Sequence, residues 1–266
     1  MRLSPRLSGR LSGRLSGRLS GRLAQLRLAL MMLTRLPMGG FSGTAPTLAQ
    51  SRWAFPLAGL PVGLIGWGVL SGAVYLGLAP LTVGVVAVAA MALVTGALHY
   101  DGLSDFADGL GGRDRAHRLE IMHDSRIGSY GAVALVFVTL ALASSVASTV
   151  ASASGDMRAL WLFLLIAVAS RMLMLCTLGL LPAARADGLG KAASGAALPW
   201  APGLIAVALV AIPLGLPALG LLAGMAVTAL AISVMARRRL GGQTGDVLGA
   251  VQLSSETAGW LLVAAL

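Results

Sequence analysis

Apolar runs about 20 residues long recur through this chain, and about 20 apolar residues are what a helix needs to cross the hydrocarbon core of a bilayer. Residues 53–79 form the first run, with Gly59, Gly63 and Gly66 on one face, where small residues let helices approach closely. Residues 81–100, 130–154 and 158–181 follow, the last two joined by a turn near Gly155-Asp156. Residues 201–236 contain Pro213 and Pro217 and fit two spans with a tight turn near Pro217. Residues 256–266 begin an apolar segment that is short for a span. Only 11% of residues are charged, against roughly 25% in soluble domains, so a water-exposed surface is excluded. The predicted fold is all-α: a polytopic membrane-embedded helical bundle of about six to seven transmembrane helices.

The net charge of +10 raises the question of nucleic acid, and its distribution answers it. Eight of the twenty basic residues lie in the first 35 positions and most others lie between apolar segments, a pattern of cytoplasmic anchoring at a bilayer rather than nucleic-acid binding. Residues 7–22 are four copies of Leu-Ser-Gly-Arg, a composition expected to be disordered in water, so residues 1–22 are set apart from a membrane domain at 23–266. Residues 23–38 carry Arg27 and Arg35 and read as an interfacial or re-entrant helix. Cys176, inside an apolar run, is the chain's single cysteine. Placing the N-terminus and the loops at 101–129, 182–199 and 237–255 on one side gathers Arg113, Arg115, Arg118, Arg126, Arg185, Lys191 and Arg237 to Arg239 there, leaving Arg158 opposite. By the positive-inside rule that side is cytoplasmic.

The same loops hold most of the acids. Asp101, Asp105 and Asp108 are spaced i, i+4, i+7, one face of a helix, and carboxylates that close call for a cation. Magnesium suits them, being commonly held by a few carboxylates plus substrate phosphates. The competing reading is a solvated acidic helix start. Glu120 and Asp124 share a face if helical, with Arg126 suited to an anionic group; a salt-bridged helix, with Arg115 and Arg118 as partners, is the alternative. Arg185 and Asp187 stand among glycines at 182–190. Gly241-Gly242-Gln243-Thr244-Gly245-Asp246 resembles a backbone cradle for an anion, or a flexible turn. Glu256 reads as a helix-start acid. Arg171 is the exception among charge-free runs, suited to substrate phosphate or to a loop carboxylate.

His99-Tyr-Asp-Gly-Leu-Ser-Asp-Phe-Ala-Asp-Gly-Leu-Gly-Gly112 and Arg118-Leu-Glu-Ile-Met-His-Asp-Ser-Arg-Ile-Gly-Ser-Tyr-Gly131 resemble the signature of the cobalamin-5′-phosphate synthase (adenosylcobinamide-GDP ribazoletransferase) family. Weaker blocks agree: Leu33-Thr-Arg-Leu-Pro37, Phe55-Pro-Leu-Ala-Gly-Leu60, Ala184-Arg-Ala-Asp-Gly-Leu-Gly190 and Gly241 to Gly249. The resemblance covers residues 26 to 256 and leaves the Leu-Ser-Gly-Arg repeat outside. It implies a bacterial inner-membrane enzyme that joins adenosylcobinamide-GDP to α-ribazole or its 5′-phosphate and releases GMP, with Mg²⁺ as cofactor. On that basis Asp101, Asp105, Asp108 and Asp124 are expected to hold metal. Glu120 or Asp124 is expected to be the base, and Arg126 to meet phosphate. Arg185, Asp187, Gly241, Gly242, Thr244 and Asp246 are expected to bind substrate. A homo-oligomer, or a complex with other late cobalamin enzymes, is the further expectation. A CDP-alcohol phosphotransferase is disfavoured because Asp101-Gly102 is followed by Ser104-Asp105 rather than Ala-Arg. A prenyltransferase would need a second Asp-rich box, and a transporter would need charges within its spans.

Overall fold

The computed structural model describes residues 5–151, 157–195 and 199–265, with side chains from residue 19 onward except at 151. The turn expected near Gly155-Asp156 lies outside the described residues. Twelve α-helices follow in order: α1 (Pro5–Leu33), α2 (Leu48–Ser51), α3 (Gly59–Tyr75), α4 (Pro80–Thr95), α5 (Leu98–Leu110), α6 (Arg115–Ile121), α7 (Ser129–Ser148), α8 (Arg158–Leu180), α9 (Gly188–Ala193), α10 (Trp200–Ala211), α11 (Pro217–Leu240) and α12 (Gly245–Ala265). Among the described residues no strand forms.

Five segments are long and apolar enough to cross a bilayer: Pro56–Tyr75, α7, α8, α11 and α12. The pair α4 and α5 passes the same test jointly but is bent by 90°. The apolar stretch Trp200–Leu214 is shorter. The chain is therefore a multi-pass helical membrane protein. Such helices satisfy their own backbone groups, which hydrocarbon cannot do.

Burial follows membrane logic. In the most apolar window of α8, 78% of residues are buried inside the bundle, and in that of α12, 67%. The values for α7 and α11 are 28% and 22%, so their Phe137, Leu140, Val227 and Leu230 face outward. The glycine face expected in the first span packs on α8. A Cβ at Gly63 would lie 2.8 Å from the Phe163 carbonyl oxygen, so only glycine permits this approach. Phe163 meets Trp260 of α12 edge-on, with centroids 4.5 Å apart.

The tight pair α8 and α12 also encloses charge. Arg171 Nη1 lies 3.7 Å from Glu256 Oε2, with side chains 1% and 6% exposed. Gln252 donates to Glu256 and lies 3.0 Å from Ser170 Oγ. This settles the partner of Arg171 and corrects two expectations. Glu256 is not a helix-start acid but lies deep within α12, and residues 237–255 are not a loop. The helix α11 runs on through Arg237 to Leu240, and α12 begins at Gly245, so the last apolar segment is the end of a 21-residue helix. Hydropathy undervalues this stretch because its polar side chains are satisfied inside the bundle.

Residues 23–33 form the end of α1, which docks rather than spans. Ala29 and Leu33 are buried against Phe55, Ala58, Met172 and Leu175. Trp53 Nε1 donates to Gln25 Oε1 at 2.7 Å, and Arg27 donates to the Met38 and Gly40 carbonyls at 2.5 and 2.6 Å. α1 begins at Pro5, within the segment set apart by its Leu-Ser-Gly-Arg repeat. Leu19 to Arg22 are exposed.

Ser148, Arg158, Leu214, Pro217 and Val263 surround one cavity, which fixes one end of the bundle. The connections 111–128, 181–187 and 241–244 therefore gather at the other.

Candidate functional site

Two consecutive left-handed residues build the polar end. Gly96 closes α4 at φ 62°, and Ala97 follows at φ 55°. A left-handed alanine costs on the order of 1–2 kcal/mol, so tertiary contacts must hold the turn. The Val94 carbonyl accepts the Arg35 N–H at 2.6 Å, which pins the segment after α1 to this corner. The chain then turns through 90°, and α5 lies across the end of the bundle. Residues expected as a polar loop from 101 onward are thus a helix as far as Leu110.

The position of α5 is set against α12 by glycine on glycine. A Cβ at Gly102 would sit 2.9 Å from the Asp246 carbonyl oxygen and 3.2 Å from Gly249 Cα. This backbone contact brings acids 145 positions apart in sequence into one field. Asp105 feels the charges of Asp101, Asp246 and Asp108, opposed by Arg185. Asp246 also feels His123. Arg185 Nη1 lies 3.6 Å from Asp246 Oδ2, and its Nη2 donates to the Leu119 carbonyl at 2.7 Å. Thr244 Oγ1 donates to Asp246 Oδ2 at 3.2 Å. Of the sequence-derived candidates, Asp101, Asp105, Arg185, Thr244 and Asp246 come together.

The others have different duties. Asp108 is 8% exposed and accepts from Gly128 N and Gly131 N, both at 2.8 Å. It ties α5 to the start of α7, where orphan N–H groups favour an anion. Asp124 does not share a helix face with Glu120, because α6 ends at Ile121. Its partner is Arg126 rather than Arg115 or Arg118, and Arg126 Nη2 approaches to 2.6 Å. The hydrogen bond from that guanidinium, followed by the one from its backbone N–H, lowers the Asp124 carboxyl to about 2. A group ionised so easily is a weak base near neutral pH. Glu120 is exposed, and Asp187 is exposed at the start of α9.

Three of the 241–249 glycines, Gly241, Gly242 and Gly249, have capping or packing duties. Gly241 is the left-handed cap of α11 at φ 79°. Gly242 presses on the Pro182 carbonyl, beside paired bonds from Gln243 N to Pro182 O and from Ala184 N to Gln243 O, both 2.8 Å. Thr244 Oγ1 accepts the Val247 N–H at 3.2 Å and opens α12. Sequence reasoning missed Arg115. It donates to the Leu240 carbonyl at 2.6 Å and the Ala184 carbonyl at 2.7 Å, locking α6, α11 and the Arg185 loop together. Its place in a dense run of arginines carried no signal of this role. His99, 3% exposed with Nε2 unpartnered among the described residues, was legible only as part of a motif.

Among the described residues, no three His, Cys, Asp or Glu side chains form a group able to hold a metal by themselves. The donor chemistry nevertheless fits magnesium, which takes one or two carboxylates and completes its shell with water and substrate phosphate. Asp101, Asp105 and Asp246 supply excess negative charge with one nearby guanidinium, an arrangement that a cation relieves.

The family model described as cobalamin-5-phosphate synthase matches residues 25–264. A protein of Bradyrhizobium diazoefficiens named adenosylcobinamide-GDP ribazoletransferase is 42% identical over 91% of this chain and 94% of its own length. Proteins of the same name from Azorhizobium caulinodans and Mesorhizobium japonicum are 42% and 41% identical, over 88% and 87% of this chain and 93% and 89% of theirs. No solved structure matches the chain. With a match running from the docked end of α1 to the last turn of α12, the chain belongs to the cobalamin-5-phosphate synthase family.

Proposed function

We propose that this protein is an adenosylcobinamide-GDP ribazoletransferase, a Mg²⁺-dependent phosphotransferase that joins adenosylcobinamide-GDP to α-ribazole or its 5′-phosphate and releases GMP. The observation that carries the reading is the meeting of Asp101 and Asp105 with Asp246 and Arg185 at one end of the bundle, in a chain whose relatives bear that name. A diphosphate donor needs its charge neutralised and its phosphorus exposed in line with an incoming hydroxyl. In this reading Asp101, Asp105 and Asp246 hold Mg²⁺ on the diphosphate. The bound ion would supply charge neutralisation at the phosphate oxygens. Arg185 is anchored through the Leu119 carbonyl and has an Nη free to shift from Asp246 to a phosphate oxygen. Exposed Arg126 lies within reach of solvent-borne substrate, and Asp108 keeps α5 in place. In this reading the arginine-rich connections lie on the cytoplasmic side of a bacterial inner membrane, the side that the positive-inside rule favours.

The test is incubation of the purified chain in lipid with adenosylcobinamide-GDP, α-ribazole and Mg²⁺, with products identified by mass. The expected products are a cobamide and GMP. Absence of cobamide at every Mg²⁺ concentration sinks the reading.

A further inference from the structure

Residues of α3, α4, α5, α7, α8 and α12 meet around a cavity of about 20 Å³ inside the bundle. Three residues that line it each carry an enclosed nitrogen with no hydrogen-bond partner among the described residues: His99 Nε2 of α5, Arg171 Nε of α8 and Trp260 Nε1 of α12. The three side chains are buried, and the ring of His99 lies in the field of the Arg171 guanidinium. Buried polar atoms are nearly always bonded, so three orphans around one small cavity point to a shared partner. The ion pair beside them says the same. Arg171 Nη1 stands 3.7 Å from Oε2 of Glu256, which also lines the cavity. A direct charge-assisted bond spans roughly 2.7–2.9 Å. Polar groups held further apart than about 3.5 Å are commonly bridged by water.

We propose that this cavity binds one water molecule, which joins His99 to Trp260 and to the Arg171–Glu256 pair. Size selects the occupant, because a single water requires roughly 10–15 Å³. Charge selects it too. A guanidinium repels a cation and a carboxylate repels an anion, whereas water is neutral and serves both. Bonding capacity then fixes the arrangement. Arg171 Nε and Trp260 Nε1 can only donate, and together they occupy both lone pairs of the water. Its two O–H groups are left for acceptors, and the lining offers His99 Nε2 and the Glu256 carboxylate. His99 is therefore neutral, with its proton on Nδ1. The charged ring or the other tautomer would set three donors against two lone pairs. His99 shares the first turn of α5 with Asp101, so this water bonds the start of the carboxylate-bearing helix to the interior of the bundle.

The test is magnetic resonance on the full ¹⁵N-labelled chain in lipid nanodiscs at neutral pH. Polarisation from water protons is expected to reach the Trp260 indole N–H, although that side chain is only 1% exposed. The His99 ring is expected to show a protonated Nδ1 and an unprotonated Nε2. Trp260→Phe and His99→Gln identify the two signals. If either variant does not fold, replacing the other tryptophans, or His117 and His123, one at a time identifies them by elimination. Val88 lines the cavity, and Val88→Met, which extends a side chain into it, is expected to abolish most of the transfer to Trp260. If that variant does not fold, Val62→Met on the facing helix takes its place. Absence of transfer in wild type, a His99 ring protonated at Nε2, or transfer undiminished in the folded filling variant overturns the proposal.

Discussion

Helices α8 and α12 are buried inside the bundle, whereas α7 and α11 turn most of their length outward. All four are about a bilayer long and apolar. The outer pair spends its length on lipid, with exposed Phe137, Leu140, Val227 and Leu230. The inner pair encloses Arg171, Glu256, Gln252 and Ser170, and α12 leads at its polar end into Asp246. Lipid is as apolar as leucine, so outward-facing positions demand only apolarity. Inward-facing positions must match their neighbours in shape and charge. The difference teaches that the information in this chain is concentrated on the faces lipid never touches.

Breaking the buried ion pair tests the contrast most severely. Arg171→Met leaves Glu256 unpaired in the bundle and is expected to destabilise by about 3–5 kcal/mol, with Arg171→Met/Glu256→Leu recovering much of the loss. Unfolding in detergent measures both, and equal losses in the single and double variants would break the comparison. Asp246→Asn comes next. It keeps the shape of the site and removes a charge, so kcat is expected to fall on the order of 10²–10³-fold with little change in thermal stability. Gly249→Val overpacks the contact between α12 and α5, with an expected cost of about 1–3 kcal/mol and an accompanying loss of activity.

Smaller effects sharpen the comparison from the other side. The folded Asp124 carboxyl, at about 2, lies below its ordinary value of 3.8, so its contribution is present above the ordinary value and lost as pH falls through about 2. The stability difference between Asp124→Asn and wild type is therefore expected to be small and constant between about pH 5 and 9, and to shrink as pH falls from about 4 towards 2. Phe137→Leu on the lipid face of α7 is expected to stay within about 0.5 kcal/mol of wild type, measured in the same detergent. A large loss there would show that α7 has a partner in the membrane.

The outer spans and α8 were legible because hydropathy measures what lipid demands. The start of α12 was not, since Asp246, Gln252 and Glu256 lower its hydropathy while each finds a partner inside the protein. Asp101 and Asp105 could be singled out from spacing alone. Their neighbourhood with Asp246 could not, because it depends on a glycine-to-glycine contact between helices distant in sequence. Asp108 looked identical to its two neighbours. The orphan N–H groups of Gly128 and Gly131 set it apart, and these exist only once α7 begins there. The arginines carried a similar ambiguity. Arg115 binds carbonyls and Arg126 an adjacent carboxylate, a distinction that charge patterning cannot make.

The glycine contact between α5 and α12 carries a consequence of its own. Where side chains keep two helices apart, each exchange of one apolar residue for another resets the gap. Here backbone touches backbone at Gly102 and Gly249. The spacing of the backbones that carry the carboxylates is set by peptide geometry rather than by the rotamers of intervening side chains. Leucines, valines and methionines elsewhere in the bundle are then free to interchange over many generations without moving Asp101 and Asp105 relative to Asp246.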